Sequence, residues 1–217
     1  MRLVYVNPNS TDAMTQSVVA VARSAASEAT VSGVTNDDGP SSIQGFEDGL
    51  AAVPGMLTRL SDAAEGGADV IVIACFDDTG LAEARQVASC PVLGIGQASY
   101  LAAALLGQRF SVVTSTAASV PVIEGNIDAQ GFGQNCVSVR ASGLPVLTIE
   151  EGRPETLDIL TDEIKRALAD GAETVVLGCA GMAHLRAELA MRTGARLIDG
   201  VAASAVLAVA AAALALQ

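Results

Sequence analysis

Tryptophan is absent from the 217 residues, and four Phe and two Tyr make up only 3% of them. A stacking surface for single-stranded nucleic acid needs several aromatics set in a basic groove. Here 12 basic side chains face 24 acidic ones for a formal charge of −12, a field that opposes binding to phosphate backbones. Histidine occurs once, at His184, and lysine once, at Lys165. A single histidine excludes a His-rich zinc or iron site, and no metal is expected. Lys165 falls mid-helix in a solvent-facing register beside Arg166, which removes the obvious Schiff-base lysine for pyridoxal phosphate.

Long apolar runs are also missing. The N-terminal MRLVYVNPNS holds a short apolar run followed by polar turn residues, unlike a signal peptide. Val201 to Leu216 is nearly all Ala, Val and Leu, too short and too rich in Ala for a membrane span. The expectation is a cytoplasmic chain, with no membrane and no nucleic acid among its partners, that ends in a buried Ala-rich helix. The four cysteines are irregularly spaced and form no Cys-x-x-Cys, so a secreted disulfide framework is not expected either.

What is present is alternation. Leu3 to Val6, Val70 to Ala74, Val92 to Ile95, Phe110 to Val113, Val137 to Val139 and Val175 to Leu177 read as strands, most of them buried on both faces. The segments between them fit helices. Pro154 suits a first helical turn, and Leu157, Leu160, Ile164 and Leu168 follow as one apolar stripe. Strand and helix alternating in this way give an α/β fold with parallel sheets.

The alternation contains a repeat. Gly67-Ala68-Asp69-Val70-Ile71-Val72-Ile73-Ala74-Cys75 aligns without gaps on Gly171-Ala172-Glu173-Thr174-Val175-Val176-Leu177-Gly178-Cys179, each a helix end, an acidic residue, a buried strand and a cysteine. At the same offset Leu93-Gly94-Ile95-Gly96 meets Leu197-Ile198-Asp199-Gly200, and near it Leu3 to Ser10 meets Phe110 to Ala117. The chain therefore reads as two similar α/β halves. Cys75 and Cys179 both fall at the carboxyl end of a strand, where ligands bind in open α/β sheets, and just before an expected helix start. A helix N-terminus there would lower the thiol pKa. Cys90, at a strand entry before Pro91, and Cys136, opening a strand, read as core or surface residues. His184, five residues after Cys179, reads as a surface or interface histidine. Gly94-Ile95-Gly96-Gln97-Ala98-Ser99 only half matches a dinucleotide-binding turn and is set aside.

Beyond this grammar, several motifs carry a likeness: Asn7-Pro8-Asn9-Ser10-Thr11, Gly39-Pro40-Ser41-Ser42-Ile43, Ala74-Cys75-Phe76-Asp77-Asp78-Thr79-Gly80, Leu106 to Ser115, and Leu177-Gly178-Cys179-Ala180-Gly181-Met182. In these the chain resembles the aspartate/glutamate racemase superfamily, in its hydantoin and allantoin racemase branch. The resemblance implies a cofactor-independent isomerase that acts on a small molecule and forms a homo-oligomer. It also implies two pseudo-symmetric domains, each a parallel flavodoxin-like sheet flanked by helices, with the active site in the cleft between them. Residues 1–96 with 200–217 are expected to form one half and residues 97–199 the other. Carried over by position, Cys75 and Cys179 are the catalytic pair, while Asn9, Ile43, Phe76, Thr114, Ser115, Gly178 and Ala180 surround the substrate ring. Departures are Asp77, where similar enzymes commonly carry Gly, Gln44 and Gln97 in place of Glu, and His184 in place of Asp.

The expected chemistry is removal of the C5 proton of a cyclic ureide by one cysteine, with return of a proton to the opposite face by the other. Helix N-termini, Thr114 and Ser115 are the expected stabilisers of the enolate-like intermediate. None of the arginines lies beside the Asn7-Pro8-Asn9, Cys75, Thr114-Ser115 or Cys179 segments in sequence, which favours a neutral ureide over a free amino acid carrying an α-carboxylate. The alternatives on the same scaffold are an amino-acid racemase, an arylmalonate-type decarboxylase and a maleate-type cis–trans isomerase. A redox-sensing or ligand-binding protein is the non-enzymatic alternative.

Overall fold

A computed structural model describes residues 1–215; Leu216 and Gln217, the end of the expected C-terminal stretch, lie outside the described residues. The first half runs β1 (Arg2–Asn7), α1 (Asp12–Ala25), β2 (Thr30–Thr35), α2 (Phe46–Glu65), β3 (Val70–Ile73), α3 (Leu81–Val87) and β4 (Val92–Gly94). Helix α4 (Ile95–Leu105) leads to the second half. That half runs β5 (Phe110–Thr114), α5 (Val120–Ala129), β6 (Cys136–Ala141), α6 (Val146–Glu151), α7 (Pro154–Ala169), β7 (Thr174–Gly178), α8 (Arg186–Thr193) and β8 (Leu197–Asp199). Helix α9 (Gly200–Ala215) closes the chain.

The strands form two four-stranded parallel sheets, ordered β2-β1-β3-β4 and β6-β5-β7-β8. The second order repeats the first with each strand advanced by four, so the internal repeat is a repeat of topology as well as of sequence. Its landmarks are physical ones. Gly67 and Gly171 take positive φ values of 83° and 100°, the left-handed backbone that turns the chain from α2 into β3 and from α7 into β7.

The central strands β1, β3, β5 and β7 are buried almost throughout, which is why they read as continuous apolar runs. Strand β2 was not anticipated. Its sequence TVSGVT lies at a sheet edge with one fully buried position, and Gly33 lets its backbone run against the side chains of Thr15 and Val19 on α1. Helix α7 begins at Pro154 and buries Leu157, Leu160 and Ile164 as the stripe requires, with Leu168 half-buried.

Helices α4 and α9 hold the halves together. Helix α4 leaves the first sheet after β4 and packs against β7 and β8, while α9 leaves the second sheet after β8 and packs against β3, β4 and α1. The two helices also pack on each other. Small residues allow this close approach: Gly96, Ala98, Ser99 and Ala103 are buried on α4, and Gly200, Ser204, Ala205, Ala208 and Ala212 on α9. The Tyr5 hydroxyl on β1 lies 2.9 Å from the Ser204 hydroxyl and 3.2 Å from the Val201 carbonyl. Among the described residues no helix is long and apolar enough to cross a membrane.

Candidate active site

The carboxyl ends of β1, β3, β5 and β7 converge on one narrow, partly open cleft. All nine residues expected at the site line it: Asn9, Ile43, Cys75, Phe76, Thr114, Ser115, Gly178, Cys179 and Ala180. Sequence reasoning placed Asp77 near Cys75, and it too lines the cleft. The other lining residues, Met14, Ala74, Ser119 and Val146, were missed. Ala74 is the last residue of the aligned repeat before Cys75, so the motif held a signal for it. Met14, Ser119 and Val146 begin or precede helices and carried none.

Each strand end is fixed locally. Beyond β1, Asn7 and Asn9 bond each other: Asn7 Nδ2 donates to Asn9 Oδ1 at 3.0 Å, and the Asn9 backbone N–H donates to Asn7 Oδ1 at 3.1 Å. Asn9 Oδ1 also accepts the Thr11 N–H at 2.9 Å. Both side chains are buried, and this bonding satisfies them while turning the loop inward. At the end of β5 the Thr114 hydroxyl donates to the Gly178 carbonyl at 2.8 Å. Thr114 therefore uses its donor to tie β5 to β7, which leaves Ser115 as the neighbouring hydroxyl. Gly178 is required by space, since a Cβ there would stand 2.6 Å from a Val112 methyl and 2.9 Å from the Val113 carbonyl.

The two thiols sit differently from the expected helix starts. An irregular turn over residues 76–80 separates Cys75 from α3, and Asp78 within it takes a φ of 49°. Cys179 caps a 3₁₀ turn, Ala180–Leu185, that precedes α8. The N-terminal N–H groups near Cys75 serve another partner: those of Gly96 and Gln97, at the start of α4, donate to Asp78 at 2.9 and 2.8 Å. A built-in carboxylate thus fills the anion position that a dinucleotide-binding turn offers to phosphate.

Burial, rather than a helix dipole, governs the thiols. It pushes Cys179 up to about 12, with the Gly181 N–H pulling down and Asp77 and Glu150 pushing up. Cys75 is raised further, first by burial and then by the charge of Asp77, against a hydrogen bond from Thr79. The expected lowering of the thiol pKa is therefore reversed. A raised pKa makes the thiolate scarcer and more basic, which suits removal of a proton from carbon. Asp77 itself is raised to about 7 by burial and by Asp78, with Ser119 pulling down.

The residues set aside lie elsewhere. Cys90 precedes β4 at the opposite end of the sheet, and Cys136 opens β6. His184 is exposed on the turn before α8, beside Gly152, and burial of part of its ring lowers its pKa. Lys165 is exposed on α7. Among the described residues no arginine, lysine or histidine lines the cleft, and no cluster of His, Cys, Asp and Glu could hold a metal ion.

Two like α/β halves that meet at a cleft formed by their strand ends offer a small-molecule site between them. The Asp/Glu/Hydantoin racemase family matches residues 3–208. The chain is 44% identical to the hydantoin racemase of Rhizobium meliloti over 206 residues, 94% of this chain and 86% of that protein. Its fold superposes on the allantoin racemase from Klebsiella pneumoniae with a TM-score of 0.93 at 35% identity, covering 99% of this chain and 89% of the other. The allantoin racemase of Pseudomonas fluorescens gives 0.94 at 32% identity, covering 99% and 92%. The chain belongs to the Asp/Glu/Hydantoin racemase family and is a racemase, an isomerase.

Proposed function

We propose that this racemase inverts C5 of a neutral cyclic ureide, a 5-substituted hydantoin or allantoin, by proton transfer between Cys75 and Cys179. The observation that carries the reading is the presence of both thiols, from equivalent strand ends, on a single cleft without a basic side chain among its described lining residues. The names of the similar racemases support the ureide as substrate. So does Asp77, whose carboxylate would repel an α-carboxylate at the same position.

In this reading one cysteine acts as thiolate and removes the C5 proton, leaving a planar enolate-like intermediate. The other, as a thiol, delivers its proton to the opposite face. One base alone tends to return the proton where it came from, so inversion calls for two. Ser115 and backbone N–H groups at the strand ends are the candidates to bind the developing oxyanion. Phe76 offers an apolar wall to the ring. We also take residues 1–96 with 200–217 as one half and 97–199 as the other, supported by the packing of α9 on β3 and α1. A cytoplasmic homo-oligomer remains part of this proposal.

The test is incubation of single-enantiomer 5-substituted hydantoins and allantoin in D₂O, with optical rotation and deuterium uptake followed together. Wild type is expected to lose rotation and gain label. Cys75→Ser and Cys179→Ser should each lose racemisation while still exchanging the proton of one enantiomer, a different one in each variant. Racemisation at the wild-type rate in both variants would sink the two-thiol mechanism. Turnover of a free dicarboxylic amino acid with no ureide touched would sink the ureide.

A further inference from the structure

The cleft adjoins a second hollow. This space, about 400 Å³ and open to solvent, lies between the start of α2, the turn after Cys75 and helix α5. Asp77 lines both spaces. Its carbonyl accepts a hydrogen bond from Asn126 on α5 at 2.8 Å, which fixes the backbone at the junction. Its Oδ2 is buried and has no hydrogen-bond partner within the described residues, an uncommon state for a buried polar atom. Part of the wall is apolar: Phe46 and Leu50 expose 62% and 54% of their surface, and Val53 and Val122 are half-buried. Large apolar side chains grouped at a cavity mouth mark a place where an apolar group is received.

Charge in the hollow is mostly acidic. Asp77, Asp78 and Glu83 line it against one cation, Arg85, whose guanidinium already donates to the Val92 carbonyl and the Gln97 side chain. An anionic group entering here would meet carboxylates and a committed arginine. The reaction geometry adds a constraint. In the planar intermediate the C5 substituent lies in the ring plane, between the two thiols, so one exit serves both enantiomers.

We propose that this hollow is the subsite for the substrate's C5 substituent, that Asp77 stands at its threshold, and that it takes bulky uncharged substituents and turns anionic ones away. The inference rests on the ureide reading above and adds the direction and class of the substituent. Leu50 and Phe46 form its outer wall, and Asp77 is its specificity-determining residue.

The experiment compares kcat/KM at pH 8, where Asp77 is mostly ionised, for racemisation of 5-methyl-, 5-benzyl- and 5-carboxymethylhydantoin by wild type, Leu50→Arg and Asp77→Asn. In wild type the benzyl substrate should exceed the carboxymethyl one by roughly tenfold or more, the range that a pocket's fit commonly supplies. Leu50→Arg, at an exposed position, should lower the benzyl-to-carboxymethyl ratio by about fivefold or more through an introduced attractive charge. Asp77→Asn should raise the carboxymethyl-to-methyl ratio, a comparison that cancels any change in thiol basicity. If Leu50→Arg does not fold, the Asp77→Asn ratio decides. Racemisation of the methyl compound with ratios unchanged in the variants overturns the subsite and leaves the ureide reading intact. Turnover of allantoin with none of the three touched overturns the subsite alone, and no turnover of the three or of allantoin overturns the reading and the subsite together.

Discussion

The Thr79 hydroxyl donates a hydrogen bond to the Cys75 sulfur across 3.3 Å. Cys179 is assisted differently, by the backbone N–H of Gly181. The two thiols are thus equivalent in topology and unequal in support. Replacing Thr79 by Val removes the donor at nearly constant volume, and a hydrogen bond to a charged partner is worth roughly 1.5–3 kcal/mol. Under the two-thiol proposal, the enantiomer deprotonated by Cys75 should lose proton exchange by about tenfold or more, with a smaller loss for the other. Single-enantiomer deuterium exchange measures both, and equal losses would contradict the assignment.

Burial raises both thiols above the ordinary range, Cys179 to about 12. At neutral pH the thiolate is a small fraction, and it grows with pH. Alkylation of the wild-type cleft by iodoacetamide should therefore be slow at pH 7 compared with an exposed cysteine and rise steadily to pH 10. The racemisation rate should climb over the same interval. A plateau below pH 8 in both would mean that substantial thiolate already exists at neutrality.

Asp77 and Asp78 each sit near 7 in the folded chain against an ordinary value of 3.8. The folded chain retains protons there that the unfolded chain has released. Their stabilising contribution is fully present below about pH 4 and is lost as pH rises through about 7. Asp77→Asn removes that loss at one site. The variant should exceed wild type by about 1–2 kcal/mol at pH 8, with the gap closing toward pH 4. Urea denaturation at both pH values checks the sign.

Gly96 lies where α4 meets the turn after Cys75. A Cβ there would run into the Phe76 carbonyl and stand 3.0 Å from both carboxylate oxygens of Asp78. Because the first obstacle is backbone, the turn itself must move. Gly96→Ala should cost about 2–4 kcal/mol and most of the activity, since Phe76 and Asp77 move with the turn. Thermal melting alongside racemisation would expose an error if both stayed at wild-type values.

Much of the architecture can be read from the amino acids because the central strands are buried on both faces and announce themselves as apolar runs. Edge strand β2 cannot be read so directly, since TVSGVT has one fully buried position and a glycine. The candidate site is legible where it coincides with the repeat. Cys75 and Cys179 fall at matched strand ends, and the motif residues carried over with them share the cleft. What sequence missed was the environment. Proximity of a cysteine to an expected helix suggests an acidified thiol, whereas the turn over residues 76–80 and the α4 N–H groups taken by Asp78 leave burial in control. Ser119 and Val146 reach the cleft at the starts of α5 and α6, where local pattern says little about tertiary position.

The crossing of α4 and α9 has a mechanical consequence. Each sheet is covered in part by a helix that the other sheet delivers, and the helices begin side by side, with no room for a Cβ at Gly200 against the Ile95 carbonyl. The halves are clasped rather than hinged. Prising them apart means sliding two struts past each other through a small-residue seam, so the spacing of the thiols is set by the framework, and entry of a ligand falls to the loops at the rim.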